Sequence, residues 1–295
     1  MEGISEKVKT GLRVLKGFMS RVKLKYGDIE MTLDVPAEEG TADSGDLEAD
    51  LPELMLAIGQ AAASRDATVV LILDEMQYLG KTEMSALIMA MHKVSQKQLP
   101  VVMFGAGLPP LLGNMGNSKS YAERLFDYPR VDPLDAAAVR LAIEAPVEKE
   151  GAYIDRRAIE HIAKITQGYP YFVQQWAHDA WNCAKGSNID LRAAQNADSV
   201  AWKTLDEGFF SVRFDRLTTG EKNYLRAVAY FPTVAVNTTK IAAALGQTSQ
   251  SGNSLRSSLI KKGMIFSPGH GDVAFTVPLF DQFMRRKIQN FTAKD

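Results

Sequence analysis

Residues 69–79 read Val-Val-Leu-Ile-Leu-Asp-Glu-Met-Gln-Tyr-Leu, an unbroken apolar run that stops abruptly at two acids. Apolar residues without polar alternation describe a strand buried on both faces, as the strands of parallel sheets are. Such a strand delivers Asp74 and Glu75 side by side at its carboxyl edge. A second strand is expected at Val101–Phe104, breaking into Gly105-Ala106-Gly107 at its own end. Open parallel sheets bind ligands beyond such edges. Helical patterns between the strands complete an α/β reading.

Adjacent carboxylates at a strand end fit phosphoryl-transfer chemistry, in which one acid holds Mg²⁺ and the next orients or deprotonates the attacking water. This is the Walker B pattern, although an acidic loop after a core strand is the plainer reading of the same residues. The matching phosphate cradle, G-x-x-x-x-G-K-[ST], occurs nowhere in the chain. Its nearest approach, Gly80-Lys81-Thr82, has Glu75 where the first glycine belongs and follows the acids instead of preceding them. It therefore reads as a surface turn opening the next helix. The end of the second strand offers only Gly105, Ala106 and Gly107, so no polar side chain is visible there to sense a γ-phosphate. Arg124, on a short helix within Ser120–Phe126, is either a phosphate-facing guanidinium or a surface ion-pair partner. In Gly168-Tyr-Pro-Tyr171 the glycine ends one helix and Pro170 presets the first turn of the next. That turn is either a plain helix junction or a contact for a nucleotide.

An amphipathic helix is expected at 4–24, a strand or hairpin arm at Ile29–Val35, a solvated loop at Ala37–Gly45, a helix from Asp46 to about Ser64, and a third strand around Tyr128–Leu134. After Pro146 the strand-like runs end. Helices at Arg156–Thr166, Tyr171–Lys185 and roughly Leu191–Phe209 make a small helical domain. The remainder reads helix (Gly220–Ala229), helix (Thr239–Leu245), helix (Ser249–Lys262), strand (Met264–Ser267), turn, strand (Val273–Val277) and helix (Pro278–Lys287), the order of a winged helix-turn-helix. The expected domains are 1–46, with the amino-terminal helix, strand and acidic loop; 47–147, a partial nucleotide-binding core; 148–212, helical; and 213–295, the winged helix.

A net charge of −1 conceals an asymmetry. Gly27–Ser64 holds ten acids and no Lys or Arg, whereas 216–295 holds eleven bases against four acids. Lys240, Arg256, Lys261 and Lys262 are the nucleic-acid candidates of that basic end. The serine- and asparagine-rich face of the third helix suits a protein-interaction module equally. One cysteine, Cys183, excludes a disulfide framework, and the four histidines form no ligand spacing. No apolar run is long enough for a bilayer and no secretory signal opens the sequence, so a cytoplasmic location without a membrane partner is expected.

Taken in order, LILDEMQYL, SYAERLF, GYPYFVQQWAHDAWN and LIKKGMIFSPGHGDVAFTVPLFDQFMRR resemble archaeal and bacterial ATPases of the AAA+/STAND type, which are similar to origin-recognition initiator ATPases. The resemblance covers about residue 10 to residue 287. It implies an incomplete P-loop NTPase (AAA+) parallel sheet followed by an all-α lid and a winged helix-turn-helix domain. By that resemblance Asp74 holds Mg²⁺ through water, Glu75 activates water, Gly168 and Pro170 form the lid's G-x-P nucleotide sensor, and Arg124 faces phosphate. ATP and Mg²⁺ are the cofactors implied for an intact member.

The departure from the family is the missing phosphate loop, with its strand and helix. The chain is thus expected to be the carboxyl-terminal part of such an ATPase, a fragment, a truncated frame or a degenerate relative. Without the cradle two carboxylates repel a nucleotide, so no ATP binding or hydrolysis is expected of the chain alone. Exposed sheet edges should then favour self-association. The alternatives are a DNA-binding protein acting through the winged helix and a catalytically inactive interaction scaffold.

Overall fold

Paired strands with helices on one side organise the amino-terminal part of the chain, and one aromatic-rich core organises the rest. The computed structural model describes residues 6–21, 36, 38–247 and 249–293, and the arm expected at Ile29–Val35 lies outside them. The chain divides into two units between Pro129 and Arg130.

The first unit contains α1 (Glu6–Arg21), α2 (Leu47–Ala63), β1 (Val69–Leu73), a 3₁₀ turn (Met76–Tyr78), α3 (Lys81–Gln96), β2 (Val101–Gly105), α4 (Pro110–Ser118) and α5 (Ala122–Leu125). β1 and β2 pair in parallel, from Val69 opposite Val101 to Leu73 opposite Gly105, with α3 as the crossover. α2 packs against both α1 and α3. Its start is set by Asp46, whose side chain accepts the Glu48 N–H at 3.1 Å. Asp50, one turn further on, is buried and accepts the Ser44 and Gly45 N–H groups at 3.1 and 2.8 Å. Of the stretch expected as a solvated loop, the part at 38–45 is pinned to the helix by these bonds, and Ala42 is buried within it. The acidic Gly27–Ser64 stretch does not all face water, because Asp50 of α2 folds back onto backbone donors.

Val14, Phe18, Leu54, Met55, Val94 and Val101 form the core of this unit, with Leu71 and Met103 packed against it. The alternate strand residues, Val70, Ile72, Val102 and Phe104, are exposed, Ile72 at 79% and Phe104 at 62%. The continuous apolar pattern predicts burial on both faces, and among the described residues only one is covered. Among the described residues this sheet has two strands. The third strand expected at Tyr128–Leu134 does not form. Pro129 and Pro133 remove two ladder donors, and Val131 is 98% exposed.

The second unit begins with α6 (Ala136–Lys149), β3 (Tyr153–Ile154), α7 (Arg156–Thr166), α8 (Pro170–Cys183), β4 (Asn188–Ile189) and α9 (Leu191–Leu205), which runs through a π-helical segment (Asp206–Phe210) into α10 (Ser211–Asp215). It ends with α11 (Thr219–Val228), β5 (Ala235–Asn237), α12 (Thr238–Leu245), α13 (Ser249–Lys261), β6 (Ile265–Phe266), β7 (Asp272–Phe275) and α14 (Phe280–Lys287). The last three strands make an antiparallel sheet in the order β5-β7-β6.

Two boundaries differ from the sequence reading. The first break falls at 129/130 rather than 147, because Val139, Ile143 and Val147 of α6 are buried in the second unit's core and α6 packs on α7 and α8. Residues 148–212 and 213–295, expected as separate domains, share that core: the Phe210 ring centroid lies 5.6 Å from Phe280 and 5.3 Å from Phe283.

Candidate functional site

At the carboxyl end of β1 the backbone turns sharply. Glu75 takes a left-handed conformation, φ 56° and ψ 35°, which costs a non-glycine residue roughly 1 kcal/mol and must be held by its surroundings. Backbone bonds hold it: Ala106 N–H donates to Leu73 O at 2.8 Å, and Met76 N–H donates to Ala106 O at 2.9 Å. The bend after β1 is thereby fastened to the bend after β2. The fit is close, since a Cβ on Gly105 would collide with Met76 Sδ and one on Gly107 would lie 2.8 Å from Gln77 Oε1. Gly105-Ala106-Gly107 is thus glycine-rich for a packing reason.

Asp74 and Glu75 both face solvent. Asp74 Oδ1 accepts the Glu75 N–H at 2.7 Å, and Glu75 Oε2 accepts from Gln77 Nε2. Gln77 Oε1 in turn accepts the Leu108 N–H at 3.0 Å. The two carboxylates sit side by side with free oxygen lone pairs, able to take water or a hydrated cation. Among the described residues no three His, Cys, Asp or Glu side chains gather to hold a metal directly, so an ion at Asp74 would keep most of its water. Gly80-Lys81-Thr82 opens α3, with Gly80 at the N-cap, as a surface turn should.

Arg124 lies in α5 of the same unit. It is exposed, and its guanidinium has no ion-pair partner among the described residues, so the surface ion pair it was weighed against is not formed.

Gly168 and Pro170 belong to the second unit. Gln167 and Gly168 are both left-handed, at φ 53° and 72°, and a Cβ on Gly168 would collide with the Leu134 carbonyl. Leu134 N–H donates to Gly168 O at 2.9 Å. The local packing therefore requires this glycine, and Pro170 opens α8 at its first position. Tyr171 next to it is half exposed and stacks on Phe209 at 5.1 Å and 22°, while the Arg213 guanidinium sits 3.8 Å from the Phe209 ring centre.

The four nucleic-acid candidates divide. Lys262 Nζ donates to Glu221 Oε2 at 2.7 Å, and Glu221 is 2% exposed. Burial alone would raise the Glu221 pKa, but hydrogen bonds from Lys262, Ser258 and Thr218 outweigh it and hold the carboxyl at about 2. Arg256 Nη2 donates to Ser267 Oγ at 2.9 Å, and its Nε is buried. Lys240 and Lys261 are exposed, without a partner among the described residues. Other bases of the carboxyl-terminal end are also committed. Arg226 donates to Ile288 O at 2.7 Å and Arg285 to Ala229 O at 2.6 Å, each arginine capping the carbonyl end of the other's helix. Arg286 pairs with Asp206 at 2.6 Å and covers Trp202 at 4.3 Å. Sequence reasoning counted these charges without seeing their partners. It also passed over Gln77, whose only signal was a polar residue two positions after Glu75.

No helix among the described residues is long and apolar enough to cross a membrane. Residues 207–284 match a family model described as a domain of unknown function, DUF8462. No curated protein matches the chain. Among solved structures, the Holliday junction branch migration motor RuvB of Thermotoga maritima is similar with a TM-score of 0.43 and 15% identity, over 75% of this chain and 80% of that one. Cdc6p of Pyrobaculum aerophilum gives 0.35 and 15%, over 80% and 70%. A Walker-type ATPase of Pyrococcus abyssi gives a TM-score of 0.52 at 14% identity, over 80% of this chain and 68% of that one. That last likeness shows the fold alone, which is that of a Walker-type ATPase.

Proposed function

We propose that the chain is the carboxyl-terminal part of a AAA+/STAND-type nucleotide-dependent switch working in the cytoplasm. It would contribute the Walker B half of the core, a helical lid and a winged helix. The observation that carries this reading is the pair Asp74 and Glu75, open to solvent at the carboxyl edge of a parallel strand pair and fastened to the bend of the neighbouring strand. Asp74 would hold Mg²⁺ through water, and Glu75 would orient the water that attacks the γ-phosphate. Arg124 would neutralise phosphate charge, and the Gly168–Pro170 turn would report the nucleotide to the lid.

These 295 residues contain no G-x-x-x-x-G-K-[ST] cradle. Its backbone amides and lysine neutralise the β- and γ-phosphates, and two carboxylates without them repel a nucleotide. Tight ATP binding would therefore need a strand and helix supplied from outside these residues, seated at the open edge of β2 and over the exposed face of Val70, Ile72, Val102 and Phe104. Left open, the same edges favour self-association. A titration with Mg²⁺·ATP is expected to show neither micromolar affinity nor turnover. Micromolar affinity with turnover abolished by Glu75→Gln would overturn the reading.

A second reading, duplex binding through the carboxyl-terminal module, is favoured by its three helices and antiparallel sheet. Lys240 and Lys261 would be the phosphate contacts, because Lys262 and Arg256 are tied internally. Salt-dependent duplex binding weakened by Lys240→Ala and Lys261→Ala would support it, and no binding at low salt would dismiss it. With no duplex binding, the module is left as a docking surface for protein.

A further inference from the structure

The second strand ends in Gly105-Ala106-Gly107, so it brings no polar side chain to the rim beside Glu75. The rim nevertheless has one. Gln77 leaves the bend after β1, donates through Nε2 to Glu75 Oε2, and accepts the Leu108 N–H through Oε1 at 3.0 Å. A side-chain amide offers a donor and an acceptor in fixed relation, and a glutamine is long enough to use both here. Gly107 is shaped around it, since a Cβ there would lie 2.8 Å from Gln77 Oε1 and 3.4 Å from its backbone nitrogen. The two bends are therefore joined twice, by backbone through Ala106 and by side chain through Gln77.

We infer that Gln77 is the positioning residue of this site: it orients the Glu75 carboxylate and ties that orientation to the loop after β2. The inference rests on the reading of Asp74 and Glu75 as the carboxylate pair of a phosphoryl-transfer site, and it names how the state of Glu75 is communicated. The donor that Gln77 spends on Glu75 fixes the carboxylate over the left-handed bend, leaving its second oxygen for a water. When Glu75 turns to such a water or to a hydrated cation, the amide loses its partner and its hold on Leu108 N–H weakens. A polar residue supplied from one strand thus reports on the loop of the other.

The test is amide hydrogen exchange in the full chain without nucleotide, so its outcome is separate from the ATP titration above. Gln77→Ala is expected to speed exchange at Leu108 about tenfold, the scale of one neutral hydrogen bond lost. Glu75→Ala, which touches nothing at Leu108 directly, is expected to speed it by several-fold. Glu75→Gln, which keeps an acceptor for Gln77 Nε2, is expected to leave it unchanged, and Gln77→Ala combined with Glu75→Ala to do no more than Gln77→Ala alone. Exchange at the β1 amides Val69–Leu73 checks that each variant is folded, and Gln77→Asn, too short to reach both partners, replaces Gln77→Ala should that variant unfold. Leu108 exchange indifferent to Glu75→Ala would make Gln77 a loop anchor only and would sink the inference. So would equal effects of Glu75→Ala and Glu75→Gln.

Discussion

Glu75 and Glu221 are both glutamates that accept a hydrogen bond from a side chain two to a few dozen residues away, and their surroundings could hardly differ more. Glu75 faces water at the end of a strand, with Gln77 as its side-chain partner. Glu221 is 2% exposed under Lys262, Ser258 and the Thr218 backbone and hydroxyl. The difference extends across the two units. In the first, the charges that the sequence marks are open and the sheet beneath them is covered on one face. In the second, Arg256 and Lys262 of the four marked charges are tied to internal partners above a continuous core, and Lys240 and Lys261 stay open. An open charge on a held backbone is free to meet a ligand, whereas a buried and fully partnered one serves the fold.

The sharpest way to break this comparison is to remove the centre of the closed unit. Phe210 is fully buried, with Phe172, Phe209, Phe280 and Phe283 around it. Phe210→Ala is expected to cost the second unit about 4 kcal/mol. Trp176, Trp181 and Trp202 all lie in that unit, so urea unfolding followed by tryptophan fluorescence reads it alone. A loss below about 1 kcal/mol would mean that residues 148–212 and 213–295 do not depend on a common core.

Next in size is the pH dependence of Glu221. Its pKa is lowered from the ordinary 4.5 to about 2, so its contribution is fully present above pH 4.5 and is lost as pH falls toward 2. The shift corresponds to about 3 kcal/mol. Glu221→Gln should flatten that part of the stability profile of the second unit. An unchanged acid limb in the variant would show that another group carries it.

Adjacent lysines sharpen the same contrast. Lys262→Ala leaves the buried Glu221 without its cation and is expected to cost about 1–2 kcal/mol, the lysine itself being partly exposed. Lys261→Ala, with an exposed side chain and no partner among the described residues, is expected to change stability by less than about 0.5 kcal/mol. Equal losses for the pair would contradict the division between open and closed charges.

What was legible in the sequence follows from how local each signal is. Helices α7, α11, α12 and α13 declare themselves by apolar spacing and caps, such as the Thr218–Glu221 capping box, and form where expected. The bend at Asp74-Glu75 is legible because a buried strand cannot continue through two acids. α6 was missed because Pro146 reads as a break, although the helix carries it. β5 is three residues long and exists through its pairing with β7, which no local pattern reveals. The role of Lys262 was illegible for the same reason, since Glu221 is forty-one residues away. Gln77 was visible but silent: its meaning lies in Leu108, across a turn, a helix and a strand.

The smallest expected effect tests the open face. Ile72 belongs to the same apolar run as Leu71, and the run alone would make both core residues. Leu71 packs against the cluster around Val14 and Val101, while Ile72 is 79% exposed. Removing an exposed side chain forfeits little transfer free energy and leaves no cavity, so Ile72→Ala should cost less than about 0.5 kcal/mol by exchange at the β1 amides. Leu54→Ala, at a buried position of the same unit, should cost about 2–4 kcal/mol by the same measure. A loss above about 1.5 kcal/mol for Ile72→Ala would mean that this face is covered in solution, by a second copy or by another segment. Dilution separates those two, because only a second copy would be shed as the protein concentration falls.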